Sequence, residues 1–246
     1  MVATVARVST HNANRLSDVS VVLFDFFGTL VVYQPDRSQL AYPRTHDLAR
    51  RQGYRYDHDR FVIDWHRASS TLEEATATTH VEFSMTDAAT AFVSASGLAL
   101  TETESIELGR SFVQEWQQHV APVPGAREMM VRVAAERRVG IVSNTHDPTM
   151  VPALLDEMGI GDLMSLVLLS VDHGCRKPHP SVYDRCLAEL AVEPHHVLFV
   201  GDSLEADYRA PLRAGMRSVL IADHQPLGIP ATSVVRSVVE LEALLD

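Results

Sequence analysis

Four apolar runs along the chain end abruptly in polar residues. Val21–Phe24 runs into Asp25, with Phe26, Phe27, Gly28 and Thr29 directly behind it. Residues 139–142 run into Ser143, Asn144 and Thr145. Residues 166–169 run into Ser170, and Arg176, Lys177 and Pro178 follow in the next loop. Residues 197–200 run into Gly201, Asp202 and Ser203, with Asp207 one helical turn further on. Short runs that are apolar at every position read as strands buried on both faces, the kind found in parallel sheets. Residues 218–222 supply a fifth. Helical spacing fills the intervals at 126–138, 148–158, 180–190 and 205–214, and again at 234–245. Strand alternating with helix predicts right-handed βαβ units and an α/β fold built on a doubly wound parallel sheet. Ligands of such sheets gather beyond the carboxyl ends of the strands, so the polar residues converge on one edge.

Between residues 35 and 120 the pattern changes. No strand run stands out there, and helical spacing appears at 38–52, 57–71, 85–96 and 103–119. Gly53 and Gly97 punctuate these segments, Thr101 and Glu104 have the spacing of a capping box, and Pro43 is expected to split or kink the first helix. The expected organisation is a flexible tail at 1–17, a core at 18–33 plus 123–246, and a helical insertion at 34–122. Residues 122–125, with two prolines and a glycine, form a stiff return to the core. An insertion placed directly after the first strand hangs over that strand's carboxyl end, where it can exclude water and touch a ligand. Tyr33, Arg37, Tyr42, Arg44 and His46 lie near the crossing and are candidates for such contacts, or for packing within the insertion.

Composition narrows the function classes. A net charge of −11 repels a nucleic-acid backbone or an anionic membrane. No apolar stretch approaches the ~20 residues a membrane span needs, and the first residues lack a signal-peptide core. Cys175 and Cys186 make no disulfide framework. The expectation is a cytoplasmic enzyme with a small-molecule substrate, monomeric or homodimeric. Of the 21 basic residues, only Lys177 is a lysine, and it falls at one of the four strand-end motifs. A compact ammonium can approach a single oxygen shared by two groups, where a planar guanidinium cannot fit. Asp202 and Asp207 could cap a helix, but two carboxylates this close without a cation repel one another, which favours a metal.

The motifs and their order resemble the haloacid dehalogenase (HAD) superfamily, within it the subfamily with a helical cap inserted after the first motif. The resemblance implies a Rossmann-like core, Asp25 as nucleophile, and Mg²⁺ held by Asp25, the Phe27 backbone carbonyl and Asp202. Asp207 would join directly or through water. Ser143, with Asn144, would hold substrate oxygens, and Lys177 would neutralise them and restrain Asp25. Thr29 is placed to bond near the nucleophile or simply to fix the turn. His146, His173 and His179 flank the motifs and are given no catalytic role. One position departs from the pattern of most phosphatases in the superfamily, where a general acid/base aspartate stands two residues after the nucleophile. Here it is Phe27. The first expectation is a phosphatase working through an aspartyl-phosphate without that acid. L-2-haloacid dehalogenases, which carry an aromatic residue there and expel halide unprotonated, are the alternative. A non-catalytic or regulatory protein comes third.

Overall fold

The computed structural model describes residues 16–33 and 42–245. In chain order its strands are β1 (Val21–Phe24), β2 (Val31–Tyr33), β3 (Val120–Pro122), β4 (Arg138–Ser143), β5 (Met164–Leu169), β6 (Val197–Gly201), β7 (Arg217–Ile221) and β8 (Val234–Val235). The α-helices of the insertion are α1 (Pro43–Arg51), α2 (His58–Ala75), α3 (Met85–Ala95) and α4 (Glu102–Gln117). Those of the core are α5 (Ala126–Glu136), α6 (Met150–Glu157), α7 (Ser170–His173), α8 (Pro180–Leu190), α9 (Ala210–Arg213) and α10 (Glu242–Leu245).

Six strands form one parallel sheet in the order β5-β4-β1-β6-β7-β8. The chain winds outward from β1 on one side and then on the other, so the direction of winding reverses between β1 and β6. That reversal opens a crevice at the carboxyl ends of these two strands. Alternation along β1 divides the core in two. Val22 and Phe24 pack with α5 and α6, whereas Val21 and Leu23 pack with Val182, Tyr183 and Cys186 of α8. Burial on both faces explains the unbroken apolar runs.

The α1–α4 segment leaves and re-enters through an antiparallel ribbon in which Val31 pairs with Pro122 and Tyr33 with Val120. Its helices close around their own aromatic centre, including Tyr54, Phe61, Trp65, Phe92 and Phe112. Ser84 with Asp87 and Thr101 with Glu104 form capping boxes at α3 and α4. Helix α1 is capped from a distance: Glu115 of α4 accepts hydrogen bonds from the Arg44 N–H at 2.9 Å, the Thr45 N–H at 2.8 Å and the Thr45 hydroxyl at 2.6 Å.

Several expectations need correction. Pro43 does not kink α1 but begins it, at the position where a missing N–H removes no helical bond. The ribbon of β2 and β3 was not anticipated. Arg138 belongs to β4 rather than to the preceding helix. The interval 205–214 is not one α-helix: Leu204–Arg209 winds as a π-helix before α9. Pro211 has no N–H to offer the Asp207 carbonyl, which removes the bond that would hold a tighter α-turn there. The helix expected at 234–245 is instead β8, a 3₁₀ turn (Val238–Leu241) and α10. Its valines are stiff at χ1 and extend the sheet edge beside Leu220 and Ile221. Leu16 and Ser17, placed in the tail, form a 3₁₀ turn with Asp18, with Leu16 against the core. The rest of the tail (1–15), and the stretch 34–41 with Arg37, lie outside the described residues.

Candidate active site

Asp25 follows β1 directly, and its N–H continues the ladder to the Val200 carbonyl at 2.8 Å. The chain must then turn sharply. Gly28 takes φ = +87°, and a Cβ there would lie 2.3 Å from an oxygen of Asp202, so only glycine leaves room for that carboxylate. Phe26 O accepts the N–H groups of Thr29, Leu30 and Val31, while the Phe27 carbonyl receives no backbone donor among the described residues. The Thr29 hydroxyl donates to Asp25 Oδ2 at 3.2 Å.

At the end of β6, Asp207 turns back toward the sheet over Gly201, where a Cβ would meet its carboxylate at 2.5 Å. One Asp207 oxygen accepts the Ser203 N–H at 2.9 Å. The other accepts from Lys177 Nζ at 2.7 Å, and the same ammonium donates to Asp25 Oδ1 at 2.8 Å. The Lys177 side chain is only 2% exposed. Burial pulls its pKa down, but Asp207 and Asp25 outweigh burial and the ammonium stays charged well above the usual lysine range. Burial also pushes Asp25 up to about 7, Lys177 opposing and Asp207 adding to the rise. Asp202, facing solvent on one side, is raised by desolvation and by Asp207.

The crevice thus gathers every strand-end motif found in the sequence. Carboxylate oxygens of Asp25, Asp202 and Asp207 lie within 4.8 Å of one another. With Lys177 the sole ammonium bridging them, two formal negative charges remain uncompensated, a deficit that a divalent cation fits. Ser143, at the end of β4, is buried, and its hydroxyl has no hydrogen-bond partner. A buried orphan hydroxyl is costly unless a ligand completes it. Asn144 is occupied differently from the sequence expectation. Its Nδ2 donates to the Lys177 carbonyl at 2.9 Å and its Oδ1 accepts the Lys177 N–H at 2.8 Å, so its amide clamps the lysine loop.

Over this crevice lies a cavity of about 280 Å³ between core and insertion. Phe27 forms part of its wall, with its ring stacked on Tyr33 at 6.0 Å and tilted against Trp116 at 5.3 Å. Trp65 and Phe83 add further aromatic surface, and no arginine or lysine is among the described lining residues. Of the crossing residues named from the sequence, Tyr33 and Tyr42 do line the cavity. His46 does not: it is buried in the insertion, with Nε2 3.1 Å from the Tyr56 carbonyl. Arg44 pairs with Glu115 instead. Trp65 and Trp116 were not legible from sequence, since aromatic residues at helical spacing look the same whether they fill a core or line a pocket, and Phe83 lies in a loop, where nothing marks its role.

The sequence model of a hydrolase family, haloacid dehalogenase-like hydrolase, matches residues 19–215. Among curated relatives, the pyrimidine 5'-nucleotidase YjjG of Escherichia coli is 31% identical over 144 residues, 56% of this chain and 63% of that protein. The ribulose-1,5-bisphosphate 5-phosphatase of Halopiger xanaduensis is 27% identical over 205 residues, covering 82% of this chain and 84% of that one. Two solved structures share the fold. A HAD phosphatase from Thermococcus onnurineus superposes with a TM-score of 0.63 at 22% identity, over 92% of this chain and 98% of its own. A 2-haloacid dehalogenase from Pseudomonas syringae gives 0.67 at 17% identity, with the same 92% and 98% coverage. The match along most of the chain, on a fold whose crevice holds the expected carboxylates and lysine, makes this protein a haloacid dehalogenase-like hydrolase.

Proposed function

We propose that the protein is a Mg²⁺-dependent phosphatase acting on a small phosphorylated metabolite through an aspartyl-phosphate on Asp25, with α1–α4 as its cap. The observation that carries this is the cluster of three carboxylates around one ammonium. Asp25, the Phe27 carbonyl and Asp202 would hold the metal directly. Asp207 would join them directly or through water, with its oxygens also held by Lys177 and the Ser203 N–H. When bound, the ion compensates the charge of an anionic nucleophile meeting an anionic phosphate.

The protein's own residues do the rest. Asp25 attacks phosphorus, and Thr29 and Lys177 fix its two oxygens in place. The orphan Ser143 hydroxyl donates to a phosphoryl oxygen. Lys177 balances charge on the same side, and Asn144 holds its backbone in register. The cavity favours a leaving group that is flat or carbon-rich rather than one with a second anionic group. Among the relatives this is closer to a nucleotide than to a bisphosphate. The two free cysteines suit the reducing cytoplasm, and no described helix is long and apolar enough to cross a membrane.

One observation favours a second reading. Phe27 is the aromatic residue that dehalogenases of this superfamily carry, and a halide needs no proton. The uncompensated carboxylates weigh against it. A turnover screen offering phosphomonoesters and 2-haloacids, each with and without Mg²⁺, tests the choice. Phosphate release that requires Mg²⁺ is expected, and metal-independent halide release would reverse the assignment.

A further inference from the structure

The acid absent at position 27 has a counterpart elsewhere in the cavity. His146 lies three residues beyond Ser143 and lines the same cavity as Phe27. Its Nδ1 is 3.0 Å from the Phe83 carbonyl and 3.1 Å from Glu82 Oε1. A carbonyl and an ionised carboxylate can only accept, so Nδ1 carries a proton and donates. The Phe83 ring stacks on the imidazole at 4.2 Å and 15°, which fixes the plane of the ring. Nε2 has no protein partner among the described residues, and the side chain is 34% exposed.

Glu82 belongs to the segment between α2 and α3, yet its side chain is 1% exposed against the core. The Ser170 hydroxyl donates to Oε2 at 2.5 Å, the Phe83 N–H donates to Oε1 at 3.0 Å, and Arg176 stands 3.8 Å away. Burial raises the carboxyl pKa, but the bonds from His146 and Ser170 outweigh burial and hold it below the ordinary range. An ionised carboxylate behind an imidazole that lines the cavity, with Nε2 left unpartnered among the described residues, holds the ring in one tautomer and one orientation.

We infer that His146 is the general acid and base of this site and that Glu82 is its positioning residue. The inference rests on the phosphatase assignment. In the first half-reaction an Asp25 oxygen bonds to phosphorus as the bond to the leaving oxygen breaks. The proton on His146 Nε2 passes to that oxygen, leaving a neutral ring. In the second half, neutral Nε2 takes a proton from the water whose oxygen bonds to phosphorus as the Asp25–phosphorus bond breaks. Phosphate departs, and both Asp25 and the imidazolium are restored.

The acid is assembled across the join between insertion and core. The Glu82 N–H donates to the Gly174 carbonyl at 3.0 Å and the Met85 N–H to the His146 carbonyl at 2.7 Å. Proton delivery is therefore complete only with this segment docked. Other charged or titratable groups lie beside this pair or line the same cavity. Arg176 lies behind Glu82, and His66 and Glu73 of α2 line the cavity. Asp147, adjacent in the loop, has Oδ1 engaged by the Thr149 and Met150 N–H groups.

The experiment compares an aryl phosphate, whose oxygen leaves readily, with an alkyl phosphate. Full-length wild type, His146→Gln and Glu82→Gln are assayed in Mg²⁺ from about pH 5 to about pH 9. His146→Gln should lower kcat on the alkyl phosphate by about 10²–10⁴-fold, and on the aryl phosphate by less than about tenfold. The aryl rate also reports that the variant is folded. The alkaline limb of the alkyl profile should disappear. Glu82→Gln should lower kcat on the alkyl phosphate more than on the aryl phosphate, because the imidazole has lost the carboxylate that orients it. Equal losses on both substrates, no loss on either, or an alkaline limb that survives His146→Gln would overturn the inference while leaving the phosphatase assignment in place. Failure of wild type to turn over either phosphate would overturn both.

Discussion

Asp25 and Lys177 show how much of this site depends on single atoms. Asp25→Asn keeps the shape but removes the charge that attacks phosphorus. Turnover should fall by roughly 10⁴-fold or more, with an unchanged circular dichroism spectrum. Lys177→Arg keeps the charge yet needs room that the buried bridge between Asp25 and Asp207 does not have. Displacing the reacting groups by about 1 Å is enough for a loss of about 10²-fold, measurable as kcat in saturating Mg²⁺. Wild-type rates in that variant would make the sole lysine incidental. Asp25 was legible in the sequence because it stands at a strand end, and Lys177 because it is the sole lysine, in the loop that follows another strand-end motif. Glu82 and His146 were not. Their contact joins two loops far apart in the chain, and a glutamate or a histidine in a loop carries no signal of its partner. His46 shows the same limit, since its burial among the aromatic residues of the insertion has no trace in its neighbours along the chain.

At the scale of elements, turns and caps decide the geometry. Gly28→Ala places a methyl group where the Asp202 carboxylate now sits, in a left-handed conformation that costs about 1–2 kcal/mol for alanine. Mg²⁺ affinity should drop by about 10–100-fold in calorimetry, and unchanged affinity would remove Asp202 from the metal set. Glu115→Ala leaves two N–H groups and a hydroxyl of α1 without their acceptor. The expected loss is about 2–4 kcal/mol, or roughly 5–10 °C in thermal midpoint, with Glu115→Gln recovering part of it. Strands β1, β4, β5, β6 and β7 could be read from apolar runs, α3 and α4 from helical spacing, and the start of α4 from its capping box. The π-helix before α9 and the short strand β8 could not. At β8, pairing with Leu220 and Ile221 overrode a helical spacing of side chains, and before α9 the missing N–H of Pro211 loosens a turn that the spacing leaves looking α-helical. The ribbon of β2 and β3 was hidden for a similar reason, since three residues each are too few to show a period.

For the whole molecule, the decisive contact is between the helical insertion and the core, because the cavity and the Glu82–His146 pair both lie there. Glu82 links that contact to pH. Its folded pKa is below the unfolded value, so its stabilisation is present above the unfolded carboxylate range and is lost as pH falls through the folded pKa. Thermal midpoints should therefore favour wild type over Glu82→Gln at neutral pH, with the gap closing below about pH 4. A gap that stays constant through acid would mean that Glu82 is not ionised where it lies. Alternation of strand and helix made the core architecture legible, and the apolar-to-polar boundaries made its reactive edge legible. The aromatic cavity was not legible, because it is enclosed by segments whose mutual approach is written in no local pattern. The central claim is that Asp25 becomes phosphorylated, and single turnover in heavy-oxygen water tests it most directly. With a phosphomonoester and Mg²⁺, a transient phosphoryl group should be trapped on the Asp25 peptide, and the heavy oxygen should appear in inorganic phosphate. Heavy oxygen incorporated into the Asp25 carboxylate during turnover of a 2-haloacid, with no phosphoryl adduct from any ester, would contradict it.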